Sequence, residues 1–204
     1  TVDFAPDPGA GREVRRQLQW SDDVPVVGFT GRFVSEKGVL MLTDALKAIG
    51  IPWRALFVGA GPLEADLRSF AAEHSDRVRV VTGVPHAEMP RWLNAMSILC
   101  APSQTTMKWR EQFGRMSIEA MACGVPVIAS DSGEIPHVVG DAGLLVRESD
   151  RAAWTQTIER ALVDATVRCD LARRGRALVE RRFAWPVVAR QHLEFFESLL
   201  PAET

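Results

Sequence analysis

The sequence has no long apolar run and almost no excess of charge of either sign. Every apolar run falls short of the roughly 18 residues that a membrane-spanning helix needs, and no charged and then apolar leader resembles a signal peptide. The formal net charge is only −2, which gives no indication of a nucleic-acid partner. We therefore expect a cytoplasmic protein with no transmembrane segment. Peripheral association of a full-length protein with a membrane stays open.

Cysteine and lysine are both scarce. The chain has 3 cysteines, an odd number without metal-ligand spacing, so we expect packing thiols in a reducing compartment rather than disulfides or a metal site: Cys100, Cys123 and Cys169. The basic residues are mostly arginine, and the lysines are Lys37, Lys47 and Lys108. Where arginine is the usual basic residue, a lysine can indicate a specific local role. Lys37, which lies in a segment bounded by two glycines, is therefore of interest.

The start of the chain is typical of a linker. Its segment DFAPDPGAG, residues 3–11, is rich in proline and glycine and follows Thr1 rather than an initiating methionine. We therefore expect this sequence to be part of a longer protein.

Apolar runs of strand length alternate with helical patterns from Pro25 to Asp150. The runs are mostly continuous, as in parallel strands that are buried on both faces: PVVGFTG, WRALFVG, VRVVTG, SILCAPS, PVIASD and AGLLVRE. The helical patterns between them begin near Val39, Pro62, Glu88, Gly114 and Gly133, with connections short enough for right-handed βαβ units. Only helices are predicted after Asp150, over 151–164, 167–182 and 185–200. The pattern predicts an α/β fold with a doubly wound parallel sheet, followed by C-terminal helices.

Two cations follow the first predicted strand, in the segment GRFVSEKG from Gly31 to Gly38. Ligands of such sheets collect at the carboxyl ends of the strands. There the planar fork of Arg32 and the compact charge of Lys37 suit a diphosphate. The simpler alternative is a solvated turn with two surface charges.

The loops after the second and third strands carry less chemistry. Gly59 and Gly61 form only part of a dinucleotide-binding GxGxxG motif, since Glu64 stands in place of the third glycine. A tight turn that merely walls a pocket is at least as good an interpretation. In the loop GVPHAE we interpret His86 as a surface residue rather than a ligand or base.

Two glutamates frame the start of a helix in EQFGRMSIE, residues 111–119. A helix that begins near Gly114 leaves the N–H groups of about residues 114 to 117 unpaired, and these favour an anion. Glu119, on the second turn, can accept hydrogen bonds from vicinal sugar hydroxyls, and Glu111 can contact the other end of the same ligand. Alternatively, both carboxylates simply complement the helix dipole.

Four segments in this order resemble the carboxyl-terminal, donor-binding half of the retaining GT-B glycosyltransferases of group 1, the family 4 class: GRFVSEKG, VGAGPLE, EQFGRMSIE and MACGVPVIASDSGEIPHVVGDAG. The resemblance runs through nearly the whole chain. It implies an inter-domain linker and first helix over 1–24, a Rossmann-like domain for a nucleotide sugar over 25–184, and a crossover helix over 185–204. The amino-terminal acceptor domain of that family has no counterpart here.

The resemblance also implies a role for each matching residue. Glu119 would hold the nucleotide ribose, and Glu111, beside the donor sugar, would act in catalysis with Arg32 and Lys37. These two cations would bind the diphosphate and stabilise it as a leaving group, so that neither a metal nor a cofactor is needed. Further contacts to sugar, phosphate and base would come from Gly31, Phe113, Gly114, Arg115, Met116, Val84 and Pro85.

The implied reaction moves a sugar from a nucleotide diphosphate sugar to an acceptor hydroxyl with retention of the anomeric configuration. The acceptor, a sugar or a lipid-linked molecule, would bind through the missing domain. Two alternatives remain open: a non-catalytic nucleotide-binding module, and a sugar-nucleotide epimerase on the same scaffold. The segment TTMKWR, residues 105–110, departs from the family pattern, either as a lid or acceptor contact or as a tolerated insertion.

Overall fold

The computed structural model describes residues 4–199 and contains a six-stranded, fully parallel sheet in the order β3-β2-β1-β4-β5-β6. The strands are β1 Val26–Arg32, β2 Arg54–Ala60, β3 Val78–Val81, β4 Ile98–Ala101, β5 Val127–Ser130 and β6 Leu144–Val146. The predicted α/β doubly wound sheet is thus confirmed, with one strand in each predicted apolar run. The order reverses between β1 and β4, which is the point where such sheets bind ligands.

One α-helix precedes the first strand, five lie between successive strands, and three follow the last strand within the described residues. They are α1 Pro8–Gln17, α2 Val39–Lys47, α3 Glu64–Glu73, α4 Met89–Asn94, α5 Arg115–Ala122, α6 Ile135–Val139, α7 Arg151–Val163, α8 Ala165–Arg182 and α9 Trp185–Ser198. The predicted helical starts lie within about two residues of these bounds. Between residues 4 and 199, none of the helices combines the length and the apolar character required to cross a bilayer.

The strand sequences are continuously apolar because helices pack on both faces of the sheet. Each residue of β4 and β5 is buried, as are the first five of β1. Cys100 in β4 and Cys123 after α5 are buried as predicted, whereas Cys169 is exposed. Burial raises the pKa of the Cys100 thiol, and it raises that of Cys123 to about 12. Both thiols are therefore protonated packing groups at neutral pH.

The first helix expected within residues 1–24 begins at Pro8, inside the segment that is rich in proline and glycine. The side chain of Asp7 caps α1 by accepting from the Ala10 N–H at 2.9 Å, and Pro8 occupies the first turn, where a missing N–H costs nothing. Gly11 lets α1 approach α4 closely, since a Cβ there would stand 2.2 Å from the Asn94 carbonyl oxygen. That the segment also joins two domains stays a prediction.

The last helix packs only lightly on the rest of the domain. None of the residues of α9 is buried, and its large apolar side chains are exposed: Trp185, Leu193, Phe195 and Phe196. The helix therefore does not bury its apolar face on the rest of the described chain. A crossover to another domain stays a prediction, and its residues 200–204 lie outside the described residues.

Two glycines of α1 provide a matched test of the close helix contact. We expect Gly11→Ala to lower the free energy of unfolding by about 1–3 kcal/mol, because the new Cβ meets backbone that cannot turn aside. Gly9→Ala should change it by less than about 1 kcal/mol, since its nearest neighbour is the carboxylate oxygen of Asp7 at 3.2 Å. Urea denaturation of the two variants measures the difference, and equal stabilities would contradict the role given to Gly11.

Candidate functional site

A cleft of about 550 Å³ opens at the carboxyl ends of the strands. The register explains its position: β1 pairs with β2 along its whole length but with β4 only at Val27 and Gly28. The far end of β1 is therefore left open on its β4 side, and it forms one wall of the cleft. The other walls come from the end of β2, the loop after β3 and the start of α5.

The cleft brings together most of the residues that the sequence singled out. They are Gly31, Arg32, Lys37, Glu111, Phe113, Gly114, Arg115, Met116 and Glu119. Val84 and Pro85 do not line it, although their loop reaches the cleft through His86. Their proposed contact with a nucleotide base stays a prediction.

Lys37 and Glu111 form a buried ion pair on the floor of this cleft. The Lys37 Nζ donates to Glu111 Oε2, and the two side chains are 16% and 9% exposed. Ser103 Oγ donates to the same carboxylate oxygen at 2.9 Å, and the Gly114 N–H donates to Oε1 at 3.2 Å. The carboxylate thus joins the loop after β1, the end of β4 and the start of α5.

Backbone geometry fixes both members of this pair. Gly38 follows Lys37 with φ of +66°, and a Cβ there would lie 1.8 Å from the Pro102 carbonyl oxygen. Gly133 has φ of +56° and a Cβ there would lie 2.1 Å from the Glu111 carbonyl oxygen. Only glycine is compatible with such a φ at so close an approach, so the two turns hold the pair from opposite sides.

The pair determines the charge of Glu111. Burial would raise the pKa of this carboxyl group, but the hydrogen bond and charge of Lys37, with the Ser103 and Gly114 donors, outweigh burial and lower the pKa. Glu111 is therefore ionised at neutral pH and compensates the charge of Lys37. The sequence alone suggested Lys37 as a cation for a diphosphate. The structure shows that its charge is already paired with that of Glu111.

Arg32 has a different environment. It is exposed at the end of β1 and lines the cleft, and no ion pair or side-chain hydrogen bond engages it within residues 4–199. Its guanidinium group is thus the cation of the cleft that retains an uncompensated charge for an anionic ligand.

The start of α5 contributes free backbone donors, but fewer than the sequence suggested. The N–H of Gly114 is already bound by Glu111, and the Ser117 N–H donates to the Gly114 carbonyl at 2.9 Å. In the described part of the chain, this leaves the N–H groups of Arg115 and Met116 without a partner. Together with the helix dipole they favour a negatively charged group at this end of the cleft.

Glu119 lies one turn further along α5, with its side chain only 15% exposed. Its Oε1 accepts from His86 Nε2 at 3.0 Å and lies 3.2 Å from Arg115 Nε. Sequence reasoning missed His86: its side chain is 61% exposed, as expected of a surface residue, yet it lines the cleft. No local signal could have revealed this contact, because it joins a loop and a helix whose contacting residues are 33 positions apart.

The segment 105–110 is anchored at its base and reaches the ion pair at its end. The Thr105 N–H donates to Glu148 Oε2 at 2.7 Å, whereas Met107 is fully exposed. The ring centre of Trp109 lies 5.3 Å from Lys37 Nζ, a distance typical of a cation–π contact. Trp109 is a second residue of the site that the sequence did not single out.

Two glycines, Gly59 near the end of β2 and Gly61 just after the strand, shape the cleft wall. A Cβ at Gly59 would lie 1.8 Å from the Gly31 carbonyl oxygen, and one at Gly61 would lie 2.6 Å from that of Phe33. Both glycines therefore serve the close approach of the β2 loop to the end of β1, which favours the pocket-wall interpretation over a dinucleotide-binding motif.

The family of this chain follows from its match to known sequences. The family model for glycosyl transferases group 1 matches residues 24–164, so the chain belongs to this family. One relative is the GDP-mannose-dependent monoacylated alpha-(1-6)-phosphatidylinositol monomannoside mannosyltransferase of Corynebacterium glutamicum. It is 32% identical over an alignment of 190 residues, and the alignment covers 90% of this chain and 50% of that protein. The chain thus spans about half the length of the curated relatives it matches.

Solved structures of GT-B glycosyltransferases share the fold. The Anabaena protein HepE, crystallised with UDP, superposes with a TM-score of 0.85 at 24% identity, over 97% of this chain and 55% of that one. The C-terminal domain of a group 1 glycosyl transferase from Francisella tularensis gives a TM-score of 0.71 at 22% identity, over 89% of this chain and 96% of that domain. At these identities the likeness concerns the fold, and it confirms a carboxyl-terminal, Rossmann-like half of a GT-B fold.

The ion pair predicts an acid-dependent stability difference. The folded protein lowers the pKa of Glu111, so the pair stabilises it above the ordinary glutamate pKa of about 4.3, and this contribution is lost as pH falls through the lowered value. We expect Lys37→Met to reduce the free energy of unfolding by about 1–3 kcal/mol at neutral pH. The difference from the parent protein should shrink as the pH falls from about 6 to about 3.

Urea denaturation at several pH values measures this difference. Lys47→Met is the matched control, because Lys47 is exposed at the end of α2 and should show no such pH dependence. A Lys37→Met deficit of the same size across the whole pH range would contradict an ionised Glu111 as its origin.

Proposed function

We propose that this chain is the donor-binding half of a glycosyltransferase that moves a sugar from a nucleotide diphosphate sugar to an acceptor hydroxyl. The observation that carries the proposal is the convergence of Arg32, the free N–H groups that begin α5, and Glu119 on one cleft at the topological switch point. A single pocket is thus lined by groups that donate hydrogen bonds to an anion and by a carboxylate that accepts hydrogen bonds from a diol. Membership of the group 1 family, and the GDP-mannose dependence named for one relative, support the same ligand class.

The cleft suggests where each part of a donor binds. Glu119 has a second carboxylate oxygen for the ribose hydroxyls, and Arg32 with the N–H groups of Arg115 and Met116 suits the diphosphate. The sugar then lies towards Glu111 and Lys37, the pair that is fixed by backbone on both sides. We propose that the base lies near Val84 and Pro85, in the loop that reaches the cleft through His86.

Cations that face a departing diphosphate stabilise the transition state more than the bound substrate, because negative charge develops there only as the sugar leaves. Arg32 is exposed to the cleft and serves this role directly. Lys37 serves it while also holding Glu111, by sharing its donors between the carboxylate and the phosphate. We propose that this charge stabilisation makes a metal and a cofactor unnecessary and that the anomeric configuration is retained.

The proposal includes the partners of a longer protein. An acceptor, either a sugar or a lipid-linked molecule, binds through an amino-terminal domain, and the reaction takes place in the cytoplasm. The exposed apolar side chains of α9 suit contact with such a domain. No nucleic-acid partner is proposed.

Two other functions use the same cleft. A non-catalytic nucleotide-binding module has no need of the buried Lys37–Glu111 pair beside a diol-binding carboxylate. A sugar-nucleotide epimerase would convert the donor in the absence of an acceptor. Analysis of the products formed by a longer protein with and without an acceptor distinguishes the epimerase from the transferase.

We predict that this chain binds one nucleoside diphosphate weakly and that binding depends on the named residues. Titration of UDP, GDP and ADP, followed by ligand-observed NMR, should identify the preferred nucleotide. Arg32→Ala and Glu119→Ala should each weaken its binding about ten- to a hundredfold, the loss of a charge-assisted hydrogen bond. Arg190→Ala and Glu73→Ala, at exposed sites outside the cleft, are the matched controls. Equal effects of site and control variants would refute the proposed pocket.

A second prediction concerns turnover. This chain alone should catalyse no transfer, while in a protein that also carries the acceptor half, Arg32→Ala should reduce kcat more than it raises the donor KM. The reason is that leaving-group charge is largest in the transition state. Steady-state kinetics with a varied donor concentration measure kcat and the donor KM of the variant and the parent protein. If kcat falls by the same factor by which KM rises, stabilisation of the leaving group is contradicted.

A further inference from the structure

The two oxygens of Glu119 have unequal surroundings. Oε1 accepts from His86 Nε2 at 3.0 Å and lies 3.2 Å from Arg115 Nε. Within the described residues, no group donates to Oε2. The carboxylate is therefore fixed through one oxygen and leaves the other for a ligand.

The two donors to Oε1 are not equivalent. Arg115 belongs to the same helix as Glu119, four residues earlier, and its side chain is 75% exposed. Such exposed pairs are weak and mobile. His86 comes from a different element, the loop after β3, and reaches across the cleft wall to Glu119. The restraint on the carboxylate from outside its own helix is therefore His86.

The chemistry of the contact fixes one proton. An ionised carboxylate only accepts hydrogen bonds, so the proton must be on Nε2 of His86. A neutral imidazole in this tautomer already makes the bond, and protonation of Nδ1 is not required.

The position of His86 is itself fixed by the amino-terminal segment. Its ring centre lies 5.3 Å from that of Phe4. The backbone around Phe4 is tied down, because Arg176 Nη1 donates to the Phe4 carbonyl at 3.1 Å and Asn94 Nδ2 donates to the Ala5 carbonyl at 3.0 Å. Side chains of α8 and α4 therefore hold the segment that packs against His86.

We propose that His86 is a positioning residue for the recognition of a ribose diol, supported by Phe4. It holds the Glu119 carboxylate so that Oε2 faces the sugar hydroxyls, and the amino-terminal segment stabilises this arrangement. The inference rests on the proposed function, in which the ligand is a nucleoside diphosphate. It adds a requirement, since ribonucleotides should be preferred over nucleotides that lack the 2′ and 3′ hydroxyls by an amount that depends on His86.

The test compares two ligands in each variant: the preferred one of UDP, GDP and ADP, and its 2′,3′-dideoxy counterpart. The parent chain should bind the ribonucleotide at least about tenfold more tightly, as expected for hydrogen bonds to a charged acceptor. His86→Ala should weaken ribonucleotide binding, leave dideoxynucleotide binding unchanged and bring the ratio close to one. Phe4→Ala should lower the ratio in the same direction by a smaller factor.

Two further variants make the comparison specific. His86→Gln retains an N–H donor near the position of Nε2, so it should restore most of the preference for ribose. His137→Ala is the control, because His137 is also exposed and also lies within hydrogen-bond distance of a glutamate, Glu134, at 3.1 Å, but it does not line the cleft.

The possible failures are distinguishable. If His86→Ala weakens both ligands equally, or neither, the positioning role is overturned while the nucleotide site stands. If the parent chain binds both ligands equally well, the assignment of Glu119 to the diol is overturned together with the role of His86. Absence of binding by the parent chain to any of the nucleotides would contradict the proposed function itself.

Discussion

The buried ion pair between Lys37 and Glu111 is the interaction on which the rest of the site depends. It joins the loop after β1, the end of β4 and the start of α5 through a single carboxylate. Because a desolvated charge is costly unless it is paired, separation of these three segments would leave a poorly solvated charge without a partner. The pair thereby holds the start of α5 against the loop after β1, at the carboxyl ends of the strands.

The same pair divides the tasks among the charged residues. Since Glu111 compensates Lys37, attraction of a free anion falls to Arg32 and to the backbone N–H groups of Arg115 and Met116. The position of Lys37 is instead fixed, by its bond to Glu111 and by the turn at Gly38. Glu119 is likewise held from another element, by His86 in the loop after β3. Positions rather than numbers of charges therefore determine what this cleft can bind.

Periodicity predicted the fold well, and residue types predicted the composition of the cleft. Continuous apolar runs such as those of β4 and β5 indicate strands covered on both faces, and the rule for parallel sheets then places the loops that carry Arg32 and Glu111 together. Partnerships were not predictable. Neither the bond between His86 and Glu119 nor the ring of Trp109 beside Lys37 leaves a local trace, because each joins distant segments. The proline and glycine of residues 3–11 likewise did not reveal that Asp7 caps the first helix.

The glycine wall of the cleft limits which substitutions can change the surface that a ligand meets. At Gly59 the end of β2 lies so close to the end of β1 that any side chain would collide with the Gly31 carbonyl. Bare main chain offers no group that a point substitution could exchange for another. A ligand can therefore meet only main chain at this wall, whereas the loops that carry His86 and Phe113 present side chains that a substitution can change.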